Sequence, residues 1–185
     1  MTKIAKKVDP RSLETQKIIK IMFQTAYGEQ KGRNKPIMVG LAAPQIGIFK
    51  RIILVDVKAD GKGKTGDLRV YINPEIIWSS KREGEWYEGC YSTGRICGIV
   101  SRPITIKIKT FTMTPQGCNR EFRKYSDYVA RIFQHEIDHL DGKIFTDHIK
   151  NPDHLHWVEE KEFPLYRNKE AWRNWPKKAS LNMVK

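Results

Sequence analysis

Gln134-His135-Glu136-Ile137-Asp138-His139 is the stretch on which the reading of this chain turns. Around it, Tyr128, Val129, Ile132, Phe133, Ile137 and Leu140 recur at helical spacing, Ser126 stands where a cap belongs, and Gly142 is placed to end the element. A helix that buries much of its surface is predicted. Residues four apart lie one turn apart on one face, so His135 and His139 can grip a single cation from one side. Glu136, about 100° round the axis from His135, sits beside that cation. It also continues the stripe of Val129, Ile132 and Phe133, where an unpaired carboxylate is costly to bury. With 5 His in 185 residues, chance alone puts such a pattern in roughly one comparable chain in a hundred. A metal site explains it better. Beside a Lewis-acidic ion, Glu136 can take a proton from water and pass it to a leaving nitrogen.

Outward from this helix the elements are mixed. Following Asp9-Pro10, read as cap and first turn, Ile18, Ile19, Met22, Phe23 and Ala26 mark an amphipathic helix ending near Gly28. Residues 28–36 read as a polar loop, and 37–47 as apolar but broken by Gly and Pro. Residues 51–57 read as a buried strand joined through the exposed, Gly-rich stretch 60–67 to a second strand near Val70-Tyr71-Ile72, which predicts a hairpin. Ile104, Ile106 and Ile108 alternate with Thr105, Lys107 and Lys109, the period of a half-buried strand, before a turn at Pro115-Gln116-Gly117. Strands first and one helix afterwards, without regular alternation, indicate an α+β domain.

Length and composition set the bounds. At 185 residues the expectation is one domain. No apolar run approaches the roughly 20 residues of a membrane span, and the opening residues hold no signal-length hydrophobic segment. Three cysteines, Cys90, Cys97 and Cys118, make an odd, sparse set. They argue for a reducing, cytoplasmic setting in which a thiolate serves as ligand or nucleophile. The net charge of +13 favours polyanionic partners. In residues 167–185 basic side chains interleave with Trp172 and Trp175. This reads either as a solvated tail whose tryptophans pack back on the body or as an RNA-facing extension.

Two imidazoles need a third ligand. Three residues beyond Gly142, where a metzincin has its third His, stands Phe145, which excludes that class. Glu159 suits a thermolysin-like zinc endopeptidase. His148, His154 and His156 read more readily as polar residues of an exposed connection around Pro152. Cys90, in Glu88-Gly89-Cys90-Tyr91-Ser92, offers a thiolate, Gly89 allows close backbone approach, and the Tyr91 N–H can donate to a polarised carbonyl oxygen.

Gly40-Leu41-Ala42-Ala43-Pro44-Gln45, Glu88-Gly89-Cys90-Tyr91-Ser92 and the His135 segment, in this order, resemble the motifs of peptide deformylases. The resemblance covers roughly residues 5 to 150. It implies a catalytic domain over 1–150 and a basic extension over 151–185, with antiparallel and mixed sheets surrounding the helix that bears the two His. It implies removal of the N-formyl group from the formyl-methionine of nascent chains, with release of formate. It further implies one divalent metal held by Cys90, His135 and His139, typically iron(II), with nickel, cobalt or zinc as substitutes. By the same likeness Gln45 and Tyr91 bind the formyl oxygen, Glu136 moves the proton, and Val39 and Gly40 meet the substrate backbone. The expected partners are the formyl-methionyl nascent peptide and, through the basic surface and tail, the ribosome or its RNA; no membrane is expected.

Three departures from the family pattern stand out: Met38 in place of a Gly, expected at the cleft rim; Tyr91 in place of a Leu; and Cys97 in place of an Arg that helps hold substrate. Two other readings use the same residues. One is the endopeptidase with Glu159 as third ligand. The other is a basic ribosome- or RNA-binding module keeping a degenerate metal site.

Overall fold

The structure, a computed structural model, describes residues 3–28, 38–114 and 117–183. In chain order its first elements are α1 (Leu13–Gly28), β1 (Gly40–Ala42), β2 (Ile52–Asp56), β3 (Leu68–Ser79), β4 (Glu83–Gly89) and β5 (Ile96–Pro103). Then come β6 (Thr105–Thr114), β7 (Gly117–Ser126), α2 (Asp127–Leu140), β8 (Leu155–Trp157) and the single turns α3 (Phe163–Tyr166) and α4 (Lys169–Trp172). The chain forms two compact units, residues 1–82 with 103–143 and residues 83–102 with 144–185. The expected mixture of antiparallel sheets and a few helices is what is found.

In the first unit, antiparallel strands run in the order β1-β2-β3-β6-β7. The unbroken apolar run of β2 follows from its position between two helices, because successive side chains point to opposite faces. Ile52 and Leu54 pack with Ile18, Met22 and Ala26 of α1, while Ile53 and Val55 pack with Ala130, Ile132, Phe133 and Ile137 of α2. Ile106 and Ile108 of β6 join the α2 side. The sheet thus fixes the face of α2 that carries the histidines.

The helix ends are set by local chemistry. Ser12 rather than Asp9 caps α1, its Oγ accepting from the Thr15 N–H at 3.1 Å. At the start of α2, Ser126 has the extended backbone of a cap, but its Oγ lies 3.1 Å from Thr105 Oγ1 and makes no capping bond. The far end matches the expectation: Gly142 takes a left-handed φ of 74° just past the helix.

The predicted hairpin is β2 with β3, but β3 extends well beyond Val70-Tyr71-Ile72. The sequence hides this length because the ladder with β6 shifts register between Ile72 and Glu75, next to Asn73 at a φ of 50°, and again between Ile76 and Trp78. The predicted turn falls partly on residues 115 and 116, and most of the predicted loop on 29–36; both lie outside the described residues.

The second unit holds a sheet in the order β4-β5-β8, with Cys97 opposite His156. Trp172 and Trp175 are buried with Cys97, Ile99, Val158 and Tyr166. Their indole N–H groups donate to the carbonyls of Tyr166 at 2.6 Å and Trp157 at 3.0 Å. The tail's tryptophans therefore pack inward. Among the described residues no helix is long and apolar enough to cross a membrane.

Candidate metal centre

On α2, His135 and His139 are both buried, with ring centroids 4.9 Å apart and planes at 85°. One ligand atom each from Cys90, His135 and His139 lies within 4.8 Å of the other two. A thiolate and two imidazoles form a donor set suited to a divalent first-row ion. Three protein ligands rather than four are the pattern of a catalytic site that keeps one position open. Among the described residues no other group of three or more such side chains gathers in this way.

Cys90 follows β4 in extended conformation and leads into a tight turn, Tyr91–Thr93. The Ser92 N–H donates to its Sγ at 3.4 Å, and the Thr93 N–H to its carbonyl at 3.0 Å. The Tyr91 backbone opens this turn, and its phenol is exposed. Gly89 is needed for packing: a Cβ there would come 2.9 Å from Cys97 Sγ. Cys97 itself is core, 1% exposed, and burial pushes its thiol up to about 12, so it behaves as a small apolar residue.

Two residues before Cys90, Glu88 forms a bidentate pair with Arg102 (Oε1 to Nε 2.7 Å, Oε2 to Nη2 3.0 Å), each side chain 4% exposed. The motif reading missed this anchor. Its signal was a carboxylate at an inward-facing position of a strand. Replacing Glu88 by alanine removes a bidentate partner of a buried guanidinium and should destabilise the fold, by up to about 3–5 kcal/mol. A thermal or urea melt should show that loss, and pairing the change with Arg102→Met should restore much of it.

Glu136, 4% exposed, faces β1 so closely that a Cβ at Gly40 would fall 2.3 Å from its Oε1. Ala43-Pro44-Gln45-Ile46 forms a single tight turn ended by Gly47 at a φ of 81°. The Gln45 Oε1 accepts the Ala42 N–H at 2.7 Å. That bond identifies the oxygen end of the amide, so its other end is the NH2 donor. β1 pairs with β2 and stands outermost in the sheet order; the Val39 carbonyl accepts the Asp56 N–H at 2.8 Å.

Other candidates are placed differently. Glu159 is held by Lys177 at 3.0 Å and Lys161 at 3.5 Å, outside the ligand group. His156 is no surface residue of a polar connection: it is 1% exposed, with Nδ1 2.8 Å from the Tyr166 hydroxyl. Burial holds its pKa down to about 4. Its place on β8, opposite Cys97 of β5, explains the difference. His148 is exposed and His154 half-buried. Met38, expected at a rim, packs against the core formed by α1 and β2.

The family model described as polypeptide deformylase matches residues 1–154. A peptide deformylase of Polynucleobacter necessarius is 36% identical over 148 residues, covering 80% of this chain and 78% of that protein. One from Finegoldia magna is 38% identical over 145 residues, covering 78% of each. Among solved structures, the Met-Ala-Ser-bound class I type b peptide deformylase of Acinetobacter baumannii superposes with a TM-score of 0.68 at 30% identity, covering 80% of this chain and 91% of that one.

Proposed function

The chain belongs to the polypeptide deformylase family, and on that premise we propose that Cys90, His135 and His139 hold the catalytic metal while Glu136, Gln45 and Tyr91 perform the chemistry around it. As a deformylase the protein is a metal-dependent hydrolase of nascent chains. Water cleaves the formyl C–N bond, and formate and a free amino terminus are released. The observation that carries the assignment of residues is the gathering of one sulfur and two imidazole nitrogens within 4.8 Å. We assign iron(II) as the resident ion, with nickel, cobalt or zinc able to replace it. The ion would supply Lewis acidity, polarising the formyl carbonyl and making water a nucleophile near neutral pH.

The chain's own groups do the rest. Glu136 takes the proton from the attacking water and delivers it to the departing nitrogen. The Gln45 amide and the Tyr91 backbone N–H donate to the formyl oxygen as negative charge gathers on it. The capped orientation of Gln45 supports this role. Val39 and Gly40 align the substrate backbone as an added strand, which the outer position of β1 supports. The substrate is the formyl-methionyl end of a nascent chain; the Met-Ala-Ser tripeptide bound by the Acinetobacter baumannii relative has the matching product chemistry.

We further assign residues 1–150 to the catalytic domain and 151–185 to a basic extension that contacts the ribosome or its RNA in the cytoplasm. The charge of +13 supports this, as do Lys169, Arg173 and Lys178, which remain exposed while the tryptophans turn inward. The endopeptidase reading loses its third ligand, because Glu159 is engaged by two lysines.

The test is formate release from formyl-Met-Ala-Ser by iron(II)-loaded protein kept anaerobic, since oxidation of thiolate or iron mimics inactivity. Gly40→Ala belongs in the same assay. Its methyl would collide with Glu136 Oε1, and a displacement on the order of 1 Å costs about 100-fold in turnover. Full turnover by Gly40→Ala would remove Glu136 from the proposed role.

A further inference from the structure

The face of the first unit's sheet that looks away from α2 carries aromatic and cationic side chains that deformylation does not use. On β3, β6 and β7, Trp78 stands opposite Lys107, Lys107 opposite Lys124, Lys109 opposite Phe122, and Phe111 opposite Arg120. The alternate residues Ile106 and Ile108 point to the α2 core, which places this set on the other side. At one end the α1 core reaches Ile72 and Phe111. Farther along, the surface is open, and Trp78 and Phe122 keep 47% and 64% of their area exposed.

The arrangement has a definite chemistry. Lys107 Nζ lies 5.5 Å from the Trp78 ring centroid, and the Arg120 guanidinium 5.7 Å from that of Phe122. Glu75 is bound by Lys7 and by Lys109, the latter at 2.7 Å. Lys107, Arg120 and Lys124 therefore give the open region a positive field. From the usual strand spacings, Trp78 and Phe122 sit about 12 Å apart on the diagonal, with cations between and beside them. Two separated flat rings in a cationic field match the alternating bases and phosphates of an unpaired polynucleotide. A duplex has its bases already stacked and offers the rings nothing. A membrane surface would call for a contiguous apolar patch rather than single rings set among charges.

We propose that this face binds single-stranded RNA, with bases stacking on Trp78 and Phe122 and phosphates meeting Lys107, Arg120 and Lys124. It lies apart in sequence from the basic residues of 167–185, and it stands or falls independently of the deformylase assignment.

The test uses the full-length protein and the fluorescence anisotropy of a labelled 12-nucleotide single-stranded RNA over a salt series. Trp78→Ala and Phe122→Ala should each weaken binding by about 5- to 150-fold, the usual worth of a stacked base. Lys107→Gln with Lys124→Gln should reduce the slope of log affinity against log salt by about 1.4. Duplex RNA of the same length should bind more weakly and ignore the ring substitutions. Formate release and the melting temperature should be unchanged in all these variants, which separates loss of RNA binding from misfolding and from loss of catalysis. Unchanged affinity in both ring variants overturns the proposal. So does displacement of the RNA by polyglutamate or anionic vesicles at equal charge, which would mean a general cationic surface.

Discussion

Cys90→Ala, purified and loaded beside the parent chain, is expected to lose its metal, and with it formate release, while Glu159→Ala keeps both. Partners that merely orient ligands are worth about 10–100-fold in metal affinity, so removing one of three ligands should exceed that range. Thiolate supplies the soft, charged member of this set, and two neutral imidazoles alone hold a divalent ion weakly. Metal content by elemental analysis is the primary readout, because it does not depend on turnover. The Glu159 control is informative because that carboxylate is tied to Lys177 and Lys161; its loss should alter local ion pairing only. Cys90→Ala retaining stoichiometric metal, or Glu159→Ala losing it, would refute the assigned ligand set.

What the sequence discloses here depends on how local the physics is. α2 is legible because its apolar stripe, its histidine spacing and the Gly142 stop all lie within one segment. β2 is legible as a buried run because both of its faces are covered by helices. β7 is not, since Gly-Cys-Asn-Arg-Glu-Phe-Arg-Lys-Tyr-Ser at the edge of a sheet has one face half in water and little apolar pattern. His156 was misjudged for a related reason: its burial is decided by pairing with a strand far away in sequence, and Pro152 nearby reads as exposed loop.

At the site the same division holds. Two of the candidate ligands follow from helical geometry. The residues alone left Glu159, the later histidines and Cys90 open as the third, and the likeness to a known family selected among them. Glu88 shows in the sequence only as a carboxylate on the inward side of a strand; that Arg102 meets it is a tertiary fact. By the family likeness Gly40 is expected to meet the substrate backbone; the structure adds that its missing side chain makes room for Glu136.

That close approach gives the second large effect its physical basis. Glu136→Gln keeps the size of the side chain and its fit against Gly40, but an amide cannot accept the proton of the attacking water or return it to the leaving nitrogen. Removing a general acid–base group costs about 100- to 10,000-fold, so turnover should fall by that factor with little change in KM. Metal content should stay at the parent level, since the donor set is untouched. Stability should not fall, because a neutral amide is easier to bury than a carboxylate that is 4% exposed. The three readouts together distinguish proton transfer from its rivals. A carboxylate that only braced His135 or the metal would, on substitution, lower metal content or the melting temperature along with turnover. One that played no part would leave formate release near the parent rate. Only a group that moves the proton gives a chain that is folded, metal-loaded and nearly inert.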